Sequence, residues 1–421
     1  MSAVYPWLGI AVLVLCGFAV VKKYQVNMVI LLGGIVLNAL ALMAGADVFP
    51  KKFTATGIEA FDLIELFRTI SVSQVAGVGF IILISGGFAA YMQEIGASDR
   101  FVTVCAKPLA FIRNPYIILA AVFIVGHCLG LVITSAAGLA MLMVVTVYPL
   151  IIRVGCSSLA AAAVVASVLA IGYAPASGTA NLASQLVHLD PIEYLVRYQL
   201  PMAVPTILAM AVAHVFTQYY FDRKDGTGEV ANLADLEAKR EKLEEVPALY
   251  ALMPLFPIIL LLIFNKFVYG VAMNVATAMF LSWIIAFLID LVVRRDVRAS
   301  FDKSFALFKG MGSILTSTVG LIFVAAFFAK GLQNVGIVDM LLTAAKSVGI
   351  GELGTGVVLS AIVGLVTVLT GSGVAAFTSL APIVPEIAKG YGSTGIDIML
   401  MIHTASEMLR AMSPVAGVIL I

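Results

Sequence analysis

Charged residues are scarce in this 421-residue chain, at 12% of the sequence, about half of the roughly 25% that is typical of soluble domains. Apolar residues make up 62%, against roughly 45–50% in soluble domains. So few charges cannot cover a soluble surface, which excludes a soluble enzyme and a disordered scaffold. The same scarcity of charge excludes a nucleic-acid-binding protein, and the formal net charge is only +1. The composition is that of a protein that crosses a lipid bilayer several times.

Cysteine is also rare, with four residues in the whole chain. Each stands alone in an apolar stretch, and no two have the Cys-x-x-Cys spacing of a metal or redox site. This excludes a disulfide framework and a cysteine-ligated metal centre, and it predicts buried thiols in the apolar core. The four are Cys16, Cys105, Cys128 and Cys156.

One stretch differs from the rest, since Asp222–Glu245 contains more than a quarter of all charged residues, with acidic ones in excess. Its middle favours a helix but has no apolar face to bury. We therefore expect a solvated linker over residues 222–250, which joins two apolar halves, residues 1–221 and 251–421.

The two halves resemble one another, which indicates an internal duplication. Phe88–Gly96 resembles Phe328–Gly336 at a spacing of 240 residues, and Ala174–Gly178 resembles Ser413–Gly417 at 239. Apolar segments are alike by chance, but chance does not explain matched Pro, Gly, Asp and Gln positions in one order. Further pairs are Phe61-Asp62 with Phe301-Asp302, Asn27 with Asn274, and Thr134 and Pro149 with Thr370 and Pro385.

Each half contains apolar runs near the length of about 20 residues that a spanning helix needs. We therefore expect an all-α membrane protein. The spans lie near residues 6–21, 26–44, 74–93 and 200–221 in the first half, and near residues 251–267, 271–293 and 312–331 in the second.

Two further apolar segments in each half are interrupted. Residues 116–152 are broken at 134–138, which leaves two short arms and suits a re-entrant hairpin that enters and leaves the membrane on one side. Residues 158–188 are broken at Gly172–Thr179, where proline and glycine weaken the helix. The second half repeats this plan with a hairpin over 355–388, whose tip is Thr370–Gly373, and a broken helix over 396–421, interrupted at Ser413–Gly417.

Three helices, a broken helix and a final helix give five crossings per half, so the second half must be inverted relative to the first. This is the inverted-repeat arrangement of many secondary transporters. The repeat also predicts one more span of roughly 40 residues with its loops beyond Ile421, so the final helix of the second half is expected to be absent from this sequence. Most lysine and arginine residues in loops collect on one side when the N-terminus is placed outside the cytoplasm and the linker inside, and the exceptions are Lys51, Lys52 and Arg197.

Arg410 stands out because it lies in a run that should be deep in the membrane, where an unpartnered guanidinium costs several kcal/mol. We expect it to bind a substrate carboxylate, which offers paired hydrogen bonds. The alternative is an internal ion pair with Glu407 one turn earlier, or a side chain that extends towards the inner membrane face, and a structural role is compatible with substrate binding. His403 and Glu407 share a helical face with Arg410 and are candidates for proton or ion coupling, with a packed histidine as the alternative for His403.

Hydroxyl groups at the tips and breaks are candidate ligand contacts, because they have fewer carbonyls to bond than hydroxyls inside a helix. Half-helix N-termini there offer N–H groups to an anion. Asn181 and Gln185 either line the same cavity or cap freed backbone groups, and His127 is either a coupling residue or a packed one. The hydroxyl candidates are Thr134, Ser135, Ser177, Thr179, Thr370 and Ser372.

Two other classes of function are remote alternatives. Gly371-Ser372-Gly373 with His403 as base would suit an intramembrane serine protease, but no third group orients the base. A channel would need a filter motif or a ring of charge, and the sequence has neither. We therefore expect a carrier that is not an enzyme and that binds no cofactor or nucleic acid.

Six short motifs occur in order along the chain, namely Gly87–Met92, Ile95–Ala97, Lys107–Leu109, Ala174–Gly178, Thr370–Gly373 and Arg410–Gly417. Together they resemble the DcuC-type anaerobic C4-dicarboxylate carrier family of the ion transporter superfamily, from about residue 8 to the end of the chain.

This resemblance implies a multi-pass protein of the bacterial inner membrane, with a periplasmic N-terminus and a cytoplasmic linker, that transports succinate, fumarate or malate and exports or exchanges succinate. It also implies a homodimer in which scaffold and transport domains, interleaved across both repeats, work as an elevator. Carriers of citrate, lactate or an acidic amino acid are the alternative. The coupling ion is open between a proton and sodium, which would be held at the hairpin tips.

In this family the substrate and cation contacts lie at hairpin tips and helix breaks. The chain has Val374 where the family pattern has a polar residue. The positions that match these contacts are Thr134, Ser135 and Ala136, then Pro175, Ser177, Gly178 and Thr179, then Thr370, Gly371, Ser372 and Gly373, and finally Met412, Ser413 and Pro414.

Overall fold

The computed structural model of the chain describes residues 4–49, 53–168, 170–225, 246–264 and 273–413. Within these ranges the regular structure is helical and no strand is present, which confirms the predicted all-α class. The α-helices are α1 Val4–Val21, α2 Val26–Met43, α3 Glu59–Gln74, α4 Phe80–Glu94, α5 Ala97–Ala106, α6 Pro115–Gly130, α7 Ala136–Thr146, α8 Tyr148–Arg153, α9 Ser158–Ala166, α10 Gly178–Leu186, α11 Pro191–Tyr194, α12 Leu200–Asp225, α13 Phe256–Ile263, α14 Val275–Arg294, α15 Val297–Ser304, α16 Ala306–Ile314, α17 Gly320–Asn334, α18 Ile337–Ser347, α19 Glu352–Thr370, α20 Gly373–Leu380, α21 Val384–Tyr391 and α22 Ile396–Arg410.

Seven helical stretches in the described part of the chain are long and apolar enough to cross a bilayer. Many apolar side chains on them are exposed, as lipid-facing residues are, with α1 the least buried of the seven. The chain is therefore a membrane protein with several spanning helices. The seven stretches are Val4–Val21, Val26–Met43, Glu59–Glu94, Pro191–Lys224, Val275–Arg294, Val297–Asn334 and Glu352–Thr370.

The stretches Glu59–Glu94 and Val297–Asn334 are longer than the spans predicted there from apolar runs, and each contains a π-helical turn. The predicted spans 74–93 and 312–331 cover only the apolar parts, because α3 and α15 are polar helices that a hydropathy criterion leaves out. The π turns are Val75–Gly79 and Leu315–Val319, which are 240 residues apart. Such turns in a helix often mark functional sites.

Side-chain amides lie at both π turns. Gly77 departs from helical geometry, with φ −83° and ψ −114°, and a Cβ at this glycine would lie 3.1 Å from Gln185 Nε2. At the second turn, Asn27 Nδ2 donates to the carbonyl oxygen of Thr316 at 3.2 Å. Gln185 and Asn27 therefore lie where the helical hydrogen bonds are disturbed. For Gln185 this position agrees with one of the two predicted roles, the capping of freed backbone groups, and the other was the lining of a cavity.

The interrupted segments are broken near the predicted places. Helix α6 ends at Gly130 and α7 begins at Ala136, with Ser135 as its N-cap. Gly371 joins α19 to α20 with a φ of +73°, a left-handed conformation that favours glycine. The break after α9 is longer than predicted, since residues 167–177 separate it from α10. Helix α22 ends at Arg410, and Pro414 and the rest of the second predicted break lie outside the described residues.

The chain forms two compact units, each built from segments of both halves. Among the described residues, the first comprises 4–49, 53–80, 178–190 and 315–413, and the second comprises 81–168, 170–177, 191–225, 246–264 and 273–314. In the first unit α2 packs on α17, and α19 packs on α22. Asn38 on α2 is fully buried, and its Nδ2 donates to the carbonyl oxygen of Phe327 on α17 at 3.1 Å.

The second unit packs α5 on the 3₁₀ helix Ala248–Leu255 and α6 on α12. Close helix packing also occurs at Gly310, where a Cβ would lie 2.8 Å from the carbonyl oxygen of Gly86. A buried polar group lies in this unit, where Asp290 accepts from Tyr250 Oη at 2.6 Å and from Arg294 Nη2 at 3.0 Å. The Asp290 side chain is fully buried, so these partners replace the water it has lost.

The prediction of four buried thiols is wrong for most of them. Only Cys156 is buried, whereas Cys128 is exposed and Cys16 and Cys105 are intermediate. Exposure in this chain includes surface that faces lipid, so an apolar sequence context does not require burial inside the protein. The Cys156 thiol donates to the carbonyl oxygen of Pro115, and burial together with the nearby Asp222 carboxylate raises the pKa of this thiol.

Candidate functional site

The structure places the predicted site residues in two groups, one in each unit. In the first unit, α10, the tip between α19 and α20, and α22 pack together. They bring Thr179, the Thr370–Gly373 tip, Glu407, Arg410 and Ser413 into one region. In the second unit lie His127, the first hairpin tip Thr134–Ala136, and Pro175 to Ser177.

Arg410 forms an ion pair with Glu407 inside the first unit. Arg410 Nη2 lies 3.1 Å from Glu407 Oε2, and the two side chains are 17% and 7% exposed. The other carboxylate oxygen, Oε1, accepts from Thr179 Oγ1 at 3.2 Å. Thr179 belongs to α10, 228 residues earlier in the chain, so the first and second broken helices meet at this carboxylate. The internal ion pair that sequence reasoning held as one of two roles for Arg410 is therefore present.

The tip of the second hairpin lies directly beside Arg410. A Cβ at Gly373 would lie 2.3 Å from the carbonyl oxygen of Ser406 and 3.8 Å from Arg410 Cβ. Gly373 is the first residue of α20, so the N-terminal end of this helix, with its partial positive charge, packs against the Cβ of Arg410. The two groups together favour an anion at this position.

The hydroxyl groups of this tip bond to the backbone of the hairpin itself. Thr370 Oγ1 donates to the carbonyl oxygen of Val366 at 2.8 Å, and Ser372 Oγ accepts from the amide of Ala375 at 3.2 Å. Ser413 Oγ donates to the carbonyl oxygen of Val368 at 2.7 Å and so fixes the end of α22 to the hairpin arm. In the state described, these hydroxyls set the shape of the tip.

His403 and Asn181 are buried in the first unit, at 2% and 1% exposure. The His403 ring packs on Phe377 of α20, with ring centroids 4.8 Å apart. The backbone carbonyl oxygens of His403 and Asn181 accept from Ser406 Oγ and Ser184 Oγ, respectively. His403 therefore packs at the contact between α22 and the hairpin, one helical turn before Glu407.

His127 in the second unit is fully buried beside the broken segment 167–177. Its Nδ1 lies 2.9 Å from the carbonyl oxygen of Phe123, which as an acceptor requires the hydrogen on Nδ1. Tyr173 Oη donates to the carbonyl oxygen of His127 at 2.7 Å, and the two rings are nearly parallel. Tyr173 therefore holds the segment before Pro175 onto α6.

The other predicted positions of the second unit form turns and caps. Ser135 Oγ accepts from the amide of Gly138 at 3.2 Å and so caps the N-terminus of α7. The predicted positions Thr134 and Ala136 are its neighbours in the sequence. The amide of Ser177 donates to the carbonyl oxygen of Ala174 at 2.9 Å in the turn that contains Pro175.

Sequence reasoning missed Tyr173 and His214 as supports of this region. The Nε2 atom of His214, on α12, lies 3.0 Å from Ser167 Oγ. Ser167 Oγ also lies 3.0 Å from the carbonyl oxygen of Val164, so this hydroxyl links α12 to the end of α9. Tyr173 could have been found because it is a hydroxyl group inside the Gly172–Thr179 break, whereas His214 offered no local signal.

Replacing Tyr173 with phenylalanine should lower the free energy of unfolding by about 1–2 kcal/mol, because it removes a buried hydrogen bond and leaves the ring in place. Unfolding in mixed detergent micelles measures this change. Tyr220→Phe is the matched control, since the Tyr220 side chain is mostly exposed. Equal stability of the two variants would show that the Tyr173 hydroxyl does not hold the segment.

Among the residues that the structure describes, no three His, Cys, Asp or Glu side chains lie together as metal ligands. The region around Arg410 instead combines a cation, a carboxylate and a helix N-terminus, which suits an organic anion. Residues 6–421 match the model of the C4-dicarboxylate anaerobic carrier family. The chain belongs to this family. The resemblance identified from its motifs is thereby confirmed, and so is the prediction that the protein is a carrier and not an enzyme.

Relatives within the C4-dicarboxylate anaerobic carrier family match nearly the whole chain. The anaerobic C4-dicarboxylate transporter DcuC of Escherichia coli strain K12 is 32% identical over 413 residues, which are 98% of this chain and 88% of the relative. A probable anaerobic C4-dicarboxylate transporter DcuC of Vibrio cholerae is 32% identical over 415 residues, or 98% and 89%.

A solved structure shares the fold of this carrier family member. MtrF of Neisseria gonorrhoeae, described as illuminating a class of antimetabolite efflux pumps, superimposes with a TM-score of 0.61 over 93% of this chain and 87% of its own. At 16% sequence identity this likeness concerns the fold alone.

Proposed function

We propose that this protein is a secondary active transporter of C4-dicarboxylates such as succinate, fumarate and malate. The observation that carries the proposal is the position of Arg410 beside the N-terminal end of α20, at the tip of an interrupted membrane segment. Family membership and the names of the relatives from E. coli and V. cholerae support the same substrate class.

In this proposal Arg410 binds one substrate carboxylate through paired hydrogen bonds, which a planar guanidinium forms well. The second hairpin tip, Thr370 to Gly373, adds amide N–H groups and the positive end of α20. Thr179 and Asn181 on α10 lie in the same unit, where they would contact the remaining polar atoms of the substrate together with Gly178 and Ser413. Pro414, which the family resemblance also implies as a contact, lies outside the described residues. The family resemblance also implies contacts at Thr134–Ala136 and Pro175–Ser177, which belong to the second unit.

The architecture that we propose is an inverted repeat with a re-entrant hairpin in each half. Local structure supports the duplication at a spacing of 240 residues, where π turns recur and α4 and α17 begin and end at matching positions. Gly96 and Gly336 are also matched, with left-handed φ angles of 79° and 82° just before α5 and α18.

Transport would use elevator-type alternating access, in which one domain carries the substrate across the membrane while a scaffold domain stays fixed. The two compact units support a two-domain carrier because each combines segments of both halves. We further propose a homodimer in the bacterial inner membrane, with the N-terminus in the periplasm and the linker in the cytoplasm, which exports or exchanges succinate. The excess of basic residues in loops on the linker side supports this orientation.

Purified protein in liposomes tests the proposal. Liposomes loaded with unlabelled succinate should accumulate labelled succinate, and this counterflow should saturate with concentration. Fumarate and malate should compete more strongly than citrate, lactate or glutamate. Stronger competition by one of the latter would favour the alternative, a carrier of another organic anion, and flux that does not saturate would indicate a channel. Imposed sodium and proton gradients identify the coupling ion, with a sodium site at the hairpin tips as one outcome.

A further inference from the structure

The carboxylate of Glu407 occupies, in the described state, the place that a substrate carboxylate would take on Arg410. Its two oxygens accept from different elements, Oε2 from Arg410 and Oε1 from Thr179. The N-terminal end of α20 packs against the same residue, with Arg410 Cβ 3.8 Å from a Cβ placed on Gly373. The carboxylate of Glu407 therefore binds the same guanidinium that, in the proposed function, binds a carboxylate of the substrate.

A substrate carboxylate and Glu407 compete for this guanidinium. If a substrate displaces the carboxylate of Glu407, a charged group that is 7% exposed loses its cationic partner. A buried carboxylate without a cation costs several kcal/mol, and such groups take up a proton instead. The displacement thus favours the neutral carboxylic acid.

Thr179 can serve both protonation states of Glu407. A threonine hydroxyl donates to a carboxylate, as Thr179 Oγ1 does here, and it can turn to accept from the O–H of a carboxylic acid. The neutral acid therefore keeps a hydrogen-bond partner after it has left Arg410.

We propose that Glu407 is the proton-binding group of this carrier, and that substrate and proton bind together because both act on the Arg410–Glu407 pair. One proton from the aqueous phase on the side of entry binds a carboxylate oxygen of Glu407, and it returns to water when the substrate leaves and the pair re-forms. The inference rests on the proposed function, and it names the proton as the coupling ion.

Few other ionisable groups face Glu407. On α22 itself, His403 lies one turn earlier and Asp397 lies in the first turn. In the described ranges, α10 and α20 pack on α22 and contain no ionisable side chain. Helix α19 also packs on α22, and its one ionisable residue is Glu352 at its start, whose carboxylate accepts from Ser393 Oγ. The neighbouring α21 contributes Glu386, Lys389 and Tyr391. Glu407 is thus the carboxylate that these packed elements place against Arg410.

Proton uptake on binding is the direct test, and it needs no variant. In weakly buffered detergent solution near pH 7.5, a pH indicator should report roughly one proton taken up per succinate bound, counted against binding by calorimetry. Binding without proton uptake would overturn the proposal. Absence of succinate binding would instead refute the proposed function, so the two failures are distinguishable.

The Glu407→Gln variant tests the residue. The affinity of the wild-type protein for succinate should fall by about tenfold per pH unit across the range in which one proton is linked to binding. Glu407→Gln should bind succinate with a much flatter pH dependence and at least as tightly at high pH, because glutamine does not titrate and competes weakly for Arg410. Ionisation of succinate itself is common to all variants and cancels in the comparison.

Glu386→Gln is the matched control, since it makes the same change at an exposed carboxylate of the neighbouring helix. It should keep the wild-type pH dependence. His403→Gln should keep it too, and loss of the pH dependence in His403→Gln with retention in Glu407→Gln would reassign the proton to the histidine and overturn the proposal. Thermal unfolding checks that each variant is folded.

Discussion

Replacing Arg410 with glutamine should weaken succinate binding by at least about a hundredfold, which isothermal titration calorimetry of the detergent-solubilised protein measures. Removing one partner of a buried, hydrogen-bonded charge pair costs roughly 3–5 kcal/mol, and 1.4 kcal/mol corresponds to a factor of ten in affinity. Arg410→Lys should also bind weakly, because an ammonium keeps the charge but cannot form the planar pair of hydrogen bonds.

Arg410 is also the partner of Glu407, so its loss affects the fold as well as the ligand. The Arg410→Gln variant leaves a buried carboxylate without its cation and should be less stable than the wild type. The double variant with Glu407→Gln removes both charges and should recover stability without recovering binding. This pattern separates a ligand-binding role from a purely structural one.

The control for Arg410 is Arg197→Gln. Arg197 also forms an ion pair with a residue four positions earlier in the same helical stretch, Glu193, but the Arg197 side chain is 62% exposed. Exposed pairs contribute little, typically about 0–1 kcal/mol, so both stability and affinity should stay near wild type. Succinate affinity of the double variant within threefold of wild type would contradict the role of Arg410.

Sequence patterns predict the membrane helices of this chain well where a strong local signal exists. Long apolar runs marked six of the seven spanning stretches in the described residues. The predicted span 251–267 coincides with the shorter apolar stretch Ala248–Ile263, and the seventh stretch, Glu352–Thr370, was predicted as a hairpin arm. Thr370–Gly373 marked a tip because glycine tolerates the left-handed angle that Gly371 adopts. The π turns at 75–79 and 315–319 had no such signal, since their residues are apolar and fit an ordinary helix equally well.

The partners within the site were predicted only in part, for a physical reason. The Glu407–Arg410 pair could be anticipated because both residues lie on one helix, one turn apart. The bond from Thr179 to Glu407 joins residues 228 positions apart and depends on how α10 packs against α22. Tip hydroxyls were expected to face a ligand, but Thr370 and Ser372 found backbone partners within the hairpin, as hydroxyl groups in membrane helices usually do.

Replacing Gly373 with alanine should weaken succinate binding at least about tenfold and lower the thermal stability of the protein. The added Cβ would lie 2.3 Å from the carbonyl oxygen of Ser406, which is backbone and cannot rotate away. Overpacking of this kind typically costs about 1–3 kcal/mol. Relief requires that the N-terminal end of α20 move away from α22, which also moves its N–H groups away from Arg410. Calorimetry and thermal unfolding measure the two effects.

Gly17→Ala is the matched control, because Gly17 lies inside α1 of the same unit and a Cβ there meets nothing within 4 Å. This change should leave affinity unchanged and should raise stability slightly, since alanine favours a helix over glycine by roughly 1 kcal/mol. The larger Gly373→Val should bind more weakly than Gly373→Ala, because more volume must be accommodated at the same contact. Wild-type affinity in Gly373→Ala would show that the close approach of the hairpin tip to α22 is not needed for binding, and that Arg410 acts without the end of α20.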